Sequence, residues 1–125
     1  MPSINEVIER ISRVKPVVGV EERDVARWLL ELDGRLYRET MGKSEPDIKP
    51  PEKWPEDGDK PLLIPEEHSQ IYVLWVTMMM EFTMREYGNY NNTAGLYNDA
   101  MSEFLAWYRR EHPVGTGNAY KNILY

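Results

Sequence analysis

The residue that most invites chemistry is Glu81, a carboxylate set between Met80 and Phe82 in an otherwise apolar stretch. A buried carboxylate can act as a general base, because desolvation raises its proton affinity. Catalysis needs a second group at matching spacing, and no nucleophile or second acid supplies one. The simpler expectation is a salt bridge to Arg85, four residues on, or an exposed helix edge. Glu86 is expected to pair with an arginine of another helix or to cap a turn at Asn91-Asn92. His68 and His112 are the two histidines, and both flank predicted helix termini. His68 is expected to cap or pair near a helix start, and His112 to sit at a helix C-terminus, where a cation is favoured. Neither belongs to an HExxH or His-Asp pattern. The Met78-Met79-Met80 run is expected to fill core, with an adaptable binding surface as the alternative. There is no glycine-rich phosphate loop, GxSxG elbow or P-loop. No catalytic, cofactor-binding or metal residue is therefore assigned.

Length and composition narrow the class further. The 125 residues fit one domain, and 42% hydrophobic content is enough for a core. The absence of cysteine removes disulfides and thiol chemistry, and fits a reducing cytoplasm. The N-terminus lacks the basic region and apolar run of a signal peptide. The most apolar stretch, Ile71 to Met80, is far shorter than the roughly 20 residues that span a bilayer, so no membrane contact is expected. The net charge is −6, and eight acids against three lysines between Ser44 and Glu67 place −5 of it in one segment. The remainder is almost neutral and has no basic stripe, so specific nucleic-acid binding is not expected. The acids also lack the alternating spacing of an EF-hand.

The elements that carry these residues are helices. Ser3 and Glu6 have capping-box spacing, and Ile4, Val7, Ile8, Ile11 and Val14 form one stripe of a first helix that Pro16 stops. A second helix starts after a short connector, with Glu21, Glu22 and Asp24 at its N-terminus. Its buried face is Val25, Trp28, Leu29, Leu32 and Leu36. It is expected to run through Gly34 to about Thr40 and to end at Met41-Gly42-Lys43. Six prolines between Ser44 and Pro65 forbid a helix and make poor strand. Trp54 and Leu62-Leu63-Ile64 are read as anchors pinning this loop to the helices, with a short strand or hairpin as an alternative.

A third helix follows Pro65, with Ile71, Leu74, Trp75, Met78 and Phe82 as one stripe and further apolar residues on its other sides. Asn91-Asn92-Thr93 suits a turn and N-cap, so the helical pair Glu66 to His112 is expected to join at Tyr90-Asn91-Asn92. The fourth helix buries Leu96, Tyr97, Ala100, Met101, Phe104, Leu105 and Tyr108, and ends at Pro113. A tail with Gly115-Thr116-Gly117, then Tyr120, Ile123, Leu124 and Tyr125, reads as an arm that docks on something. The expected fold is all-α and four-helix-bundle-like. One domain covers 1–113 with a long Pro-rich acidic loop at 44–65, and a C-terminal arm covers 114–125.

Several segments together resemble a known pattern. They are Leu62-Leu63-Ile64-Pro65-Glu66-Glu67-His68, Ile71-Tyr72, Met80-Glu81-Phe82, Glu86-Tyr87, Tyr90-Asn91-Asn92, and Tyr97-Asn98 with Phe104, Tyr108 and Arg109. Val14-Lys15-Pro16, Trp28-Leu29 and Leu32-Asp33-Gly34 agree with it. The pattern is similar to that of head–tail connector or adaptor proteins of tailed bacteriophages and prophages. The family's asparagine after the position-16 proline, with a bulky aromatic soon after, is replaced here by Val17-Val18-Gly19. The resemblance implies a structural virion protein, self-assembled as a ring (twelve-fold in that family) between portal and tail-completion proteins. It implies location in the virion neck, assembly in the host cytoplasm, no catalysis and no cofactor. Contact residues on this reading are Trp54, Tyr90, Asn91, Asn92, Tyr120, Ile123, Leu124 and Tyr125. The acidic loop would face a solvated surface or lumen, giving passing contact with genome DNA. The alternative is a prophage-encoded acidic binding or inhibitor protein acting on a host factor. An enzyme using Glu81 or Glu86 with His68 ranks last.

Overall fold

The computed structural model describes residues 2–14 and 20–112. Pro16, Val17-Val18-Gly19, Pro113 and the arm with Tyr120, Ile123, Leu124 and Tyr125 lie outside the described residues. Ser3 opens helix α1 (Ile4–Val14) by accepting the Glu6 N–H on its hydroxyl at 3.2 Å. Ile4, Val7 and Ile11 are buried, so the three- and four-residue spacing does face the core. Helix α2 (Glu22–Leu36) begins where the Asp24 carboxylate accepts the Glu21 N–H at 3.1 Å. It buries Val25, Trp28, Leu29, Leu32 and Leu36, as the pattern predicts.

α2 does not end at Met41-Gly42-Lys43. The chain winds on through a π-helical turn (Tyr37–Met41) into a last helical turn, α3 (Gly42–Ser44). Thr40 bonds back to the Leu36 carbonyl at 2.7 Å, and Tyr37 reaches the Pro46 carbonyl at 2.7 Å. A Cβ at Gly42 would lie 2.6 Å from the Tyr37 carbonyl oxygen, so glycine is what permits the wider turn to close.

The proline-rich segment between α3 and the next helix is irregular but well anchored. Its one bridge is the isolated pair Ser3 with Pro61, and no strand forms among the described residues. Leu62, Leu63 and Ile64 are buried, and the Leu62 N–H donates to the Pro2 carbonyl at 2.8 Å. A 3-10 turn (Glu66–His68) then precedes α4 (Gln70–Thr83). Arg10 ties α1 to this turn through Glu66 at 2.5 Å and Ser69 at 3.0 Å. α4 is covered nearly all round, with Ile71, Tyr72, Val76, Met78 and Met80 each almost fully inaccessible. Truncating Ile71, Met78 or Met80 to alanine should cost about 2–5 kcal/mol in equilibrium unfolding.

The largest departure is at the end of α4. The chain reverses at Met84-Arg85-Glu86, where Arg85 takes a left-handed φ of 60°, and α5 runs unbroken from Tyr87 to Glu111. Tyr90, Asn91 and Asn92 therefore lie inside a helix and form no turn, and Glu86 has no Asn91-Asn92 turn to cap. Asparagine's preference for turns is a fraction of a kcal/mol. Burial of Thr93, Tyr97, Met101, Phe104, Leu105 and Tyr108 against the core outweighs it. The fold is all-α, with α1, α2, α4 and α5 as its longer helices.

One buried acid holds three of these elements together. Asp33 on α2 is fully inaccessible, accepts the Tyr72 hydroxyl of α4 at 2.6 Å, and accepts the Leu63 N–H at 2.8 Å. The Tyr72 oxygen in turn accepts the Ile64 N–H at 2.8 Å. Burial raises the Asp33 pKa to about 7 in spite of the two hydrogen bonds, which act to lower it. Burial, then the Asp33 charge, pushes the Tyr72 hydroxyl well above its ordinary value. Between the unfolded value near 4 and the folded value near 7, only the folded chain holds the Asp33 proton. This contribution to stability is fully present below about pH 4 and is lost as pH rises through about 7. We expect Asp33→Asn to lose this pH dependence. The difference between wild-type and variant stability in urea titrations should shift by up to about 4 kcal/mol between pH 4 and 8.

Candidate interaction surface

The groups considered for a reactive centre are dispersed. His68 sits before α4 and Glu81 in its last turn, roughly 20 Å apart along the helix axis. His68 packs its ring against Phe104 and Trp107, each at 5.3 Å between centroids. His112 stacks on Tyr108 at 4.2 Å, and its Nε2 lies 3.0 Å from Glu45 Oε1. The same Glu45 oxygen accepts the Tyr108 hydroxyl at 2.6 Å, and that hydroxyl is 2.8 Å from Ser44 Oγ. The two histidines, remote in sequence, thus both serve the C-terminal half of α5. They join it to the 3-10 turn and to the end of α3. Among the described residues no three histidine, aspartate or glutamate side chains converge to hold a metal ion. No described helix is long and apolar enough to cross a membrane.

Glu81 is neither an exposed helix edge nor ion-paired with Arg85. It is only 4% exposed, and its Oε1 has no hydrogen-bond partner among the described residues. The left-handed turn at Arg85 takes residue 85 off the helical path that would have brought the two side chains together. An unsatisfied buried acceptor costs about 1–3 kcal/mol.

Directly after Glu81 the apolar surface opens outward. Phe82, Met84 and Tyr87 are about half exposed, although Phe82 belongs to the stripe expected to be buried. Phe82 touches Tyr87 and Tyr90 at 6.1 and 5.5 Å between ring centroids. Asn91 is one helical turn from Tyr87 and continues the same face as an exposed polar neighbour, with Asn92 exposed beside it. Leu96, expected inside, is 59% exposed farther along α5. Tyr90, Asn91 and Asn92 therefore border an aromatic surface at the α4–α5 reversal. The residues missed by sequence reasoning are Phe82, Met84 and Tyr87. The signal that could have found them is the polar pair Arg85-Glu86 interrupting an apolar run and so marking the helix end.

Trp54 is placed elsewhere. It is half-buried, and its indole N–H donates to Asn5 Oδ1 at 3.0 Å, which fixes the acidic segment on α1. Asp57 clasps the turn from within. Its carboxylate accepts the Glu52 and Lys53 N–H groups at 3.0 and 3.2 Å and pairs with Lys60 at 3.1 Å. The backbone bond from Glu52, followed by Lys60 and the Lys53 backbone, holds its pKa down at about 2. Asp59 accepts a hydrogen bond from Asn5 Nδ2 at 2.9 Å. Two of the acids that a DNA mimic would display are thus engaged inside the chain.

No protein-family model, curated protein or solved structure matches this chain.

The unsatisfied Glu81 oxygen yields a direct test. Glu81→Met fills similar volume without a buried acceptor and should stabilise the chain by about 1–3 kcal/mol. Equilibrium unfolding measures this, and a destabilised variant would show that Glu81 is satisfied by a group outside the described residues.

Proposed function

We propose that this chain is a structural protein of a tailed-phage particle, a head–tail connector or adaptor that assembles as a ring between portal and tail. The observation that carries the reading is the aromatic surface at the α4–α5 reversal. Phe82, Met84 and Tyr87 stay half exposed while the core beneath them is closed. A rigid domain that leaves aromatic side chains outside fits assembly better than catalysis. Phe82 and Tyr87 also lie within the Met80-Glu81-Phe82 and Glu86-Tyr87 segments on which the connector resemblance rests, and Tyr90, against Phe82, lies in Tyr90-Asn91-Asn92. In this reading the helices form a bundle-like subunit over residues 1–113. Phe82, Tyr87 and Tyr90 take part in the contacts between subunits or with the portal. The arm at 114–125 reaches a neighbour, and the acidic segment 44–65 faces solvent or the lumen.

Two measurements test this. Mass spectrometry of purified particles should find the chain as a stoichiometric component, and its absence from particles sinks the proposal. Phe82→Glu should leave unfolding stability within about 0.5 kcal/mol of wild type, because the side chain is exposed. The same variant should prevent incorporation of the chain into particles. Normal incorporation of a folded Phe82→Glu chain would remove the α4–α5 reversal from the contact.

A further inference from the structure

α5 is built in two unlike parts. From Thr93 to Tyr108 it is fixed to the rest of the domain. Thr93, Tyr97, Met101, Phe104, Leu105 and Tyr108 are buried, the Tyr97 ring lies 5.4 Å from Trp75, and the Tyr108 hydroxyl donates to Glu45. From Tyr87 to Asn92 no residue is buried, and only Tyr90 is half-buried. The burial that overrides the turn preference of Asn91-Asn92 therefore begins at Thr93, after those residues.

The first part is also made of poor helix formers. Gly88, Asn89, Asn91 and Asn92 are four of its six residues. Glycine and asparagine rank low among the residues a helix interior accepts. A Cβ at Gly88 would meet nothing within 4 Å, so no close contact calls for glycine there. The start at Tyr87 carries two further costs. Glu86 occupies the N-cap position without a side-chain hydrogen bond to the helix. Arg85 is held at a φ of 60°, a conformation that suits glycine and strains an arginine. Against these costs stand the bond from the Tyr90 N–H to the Glu86 carbonyl at 2.9 Å and the contacts of Tyr87 and Tyr90 with the Phe82 ring.

Six residues beyond Glu86 the sequence offers a second start. Asn92 belongs to the residue types that cap helices best, and it directly precedes Thr93, the first buried residue of α5. A helix begun there gains a side-chain cap and releases Arg85 from left-handed backbone. The loop from residue 84 to 92 would then join α4 to the shortened helix. Between the two starts the helix axis advances only about 9 Å, and nine extended residues reach about 30 Å. Nothing from Thr93 onward has to move.

We propose that residues 87–92 are a conformational switch. The chain exchanges between the long α5, which begins at Tyr87, and a short one that begins at Thr93 with Asn92 as its N-cap. In the short form Tyr87 and Tyr90 leave Phe82, and the aromatic surface changes from a fixed facet into rings on a loop. A partner that gains more contact with the loop than with the facet draws the chain into the short form. The switch belongs to the isolated chain and does not rest on the connector reading.

Hydrogen exchange of the full chain, followed amide by amide by NMR, tests it. In the short form the amides of Tyr90 to Thr93 lose their helical acceptors together. After correction for intrinsic rates, these four should share one protection factor, at least about a hundredfold below those of Met101 to Tyr108. Protection that rises residue by residue from Tyr90 to Thr93 means ordinary end fraying and overturns the proposal, as does protection equal to that of Met101 to Tyr108. Gly88→Ala favours only the long helix and should reduce the opening about fivefold. Asn92→Ala also removes the cap of the short helix and should reduce it about tenfold, whereas Asn92→Asp keeps a cap and should leave it within about threefold. Gly95 lies in both helices, and a Cβ there meets nothing within 4 Å, so Gly95→Ala should leave the opening within about twofold. An opening that Asn92→Ala leaves unchanged, or that Gly95→Ala reduces as much as Gly88→Ala does, overturns the switch. Presence in purified particles is read separately, so failure of the switch and failure of the connector reading are distinguishable.

Discussion

A proline-rich segment creates a hydrogen-bonding problem for the domain it crosses. Proline has no N–H, so the segment cannot pair into a sheet, yet its apolar end must enter the core to be useful. At Leu63 and Ile64 two backbone donors go inside with their side chains, and each would cost about 1–3 kcal/mol unpaired. Asp33 and Tyr72 accept them at 2.8 Å each and bond to each other at 2.6 Å. One helix supplies a carboxyl, another a phenol, and the loop supplies the two amides. The packing of α2, α4 and residues 62–64 depends on this exchange. It also explains the position of α1, which is latched to the same segment through Pro2, Ser3 and Arg10.

The lock has a consequence for the surface. Once Leu62 to Ile64 are fixed, the preceding acidic turn has a short tether and a clasp of its own in Asp57. Acids that would otherwise sit on a floppy loop become a shaped, negatively charged feature. The α4–α5 reversal presents a different chemistry. There the helix end leaves a buried Glu81 oxygen without a hydrogen-bond partner among the described residues, and aromatic rings outside. Polar chemistry thus closes the domain at residues 62–64, while apolar side chains stay outside at the α4–α5 reversal.

Much of this was legible in the sequence wherever the cause was local. The Ser3–Glu6 spacing, the stripes of α1 and α2 and the anchoring role of Leu62-Leu63-Ile64 all follow from periodicity or from composition. The misreadings share a different cause. Asn91-Asn92 carries a real turn preference, but the packing of Tyr97 and Met101 that overrides it is a tertiary fact. Glu81 drew attention because it contrasts with its neighbours. Asp33 sits unobtrusively in Leu32-Asp33-Gly34, although it is the acid that organises the core. Its partner Tyr72 is 39 residues away, beyond any local pattern. The aromatic surface was hidden for the same reason. Phe82 keeps the helical phase of a core residue and is exposed only because the chain turns at Arg85.

The charge distribution bears on how such a domain could assemble. Copies carrying −6 each repel, but at physiological ionic strength that repulsion fades beyond about 8 Å. What decides association is then the chemistry at contact. An aromatic surface gains free energy by burial but is poor at fixing orientation, because apolar contact is nondirectional. In the proposed ring, burial at the α4–α5 reversal therefore holds subunits together, and their orientation has to come from polar groups at its border, where Asn91 and Asn92 are exposed.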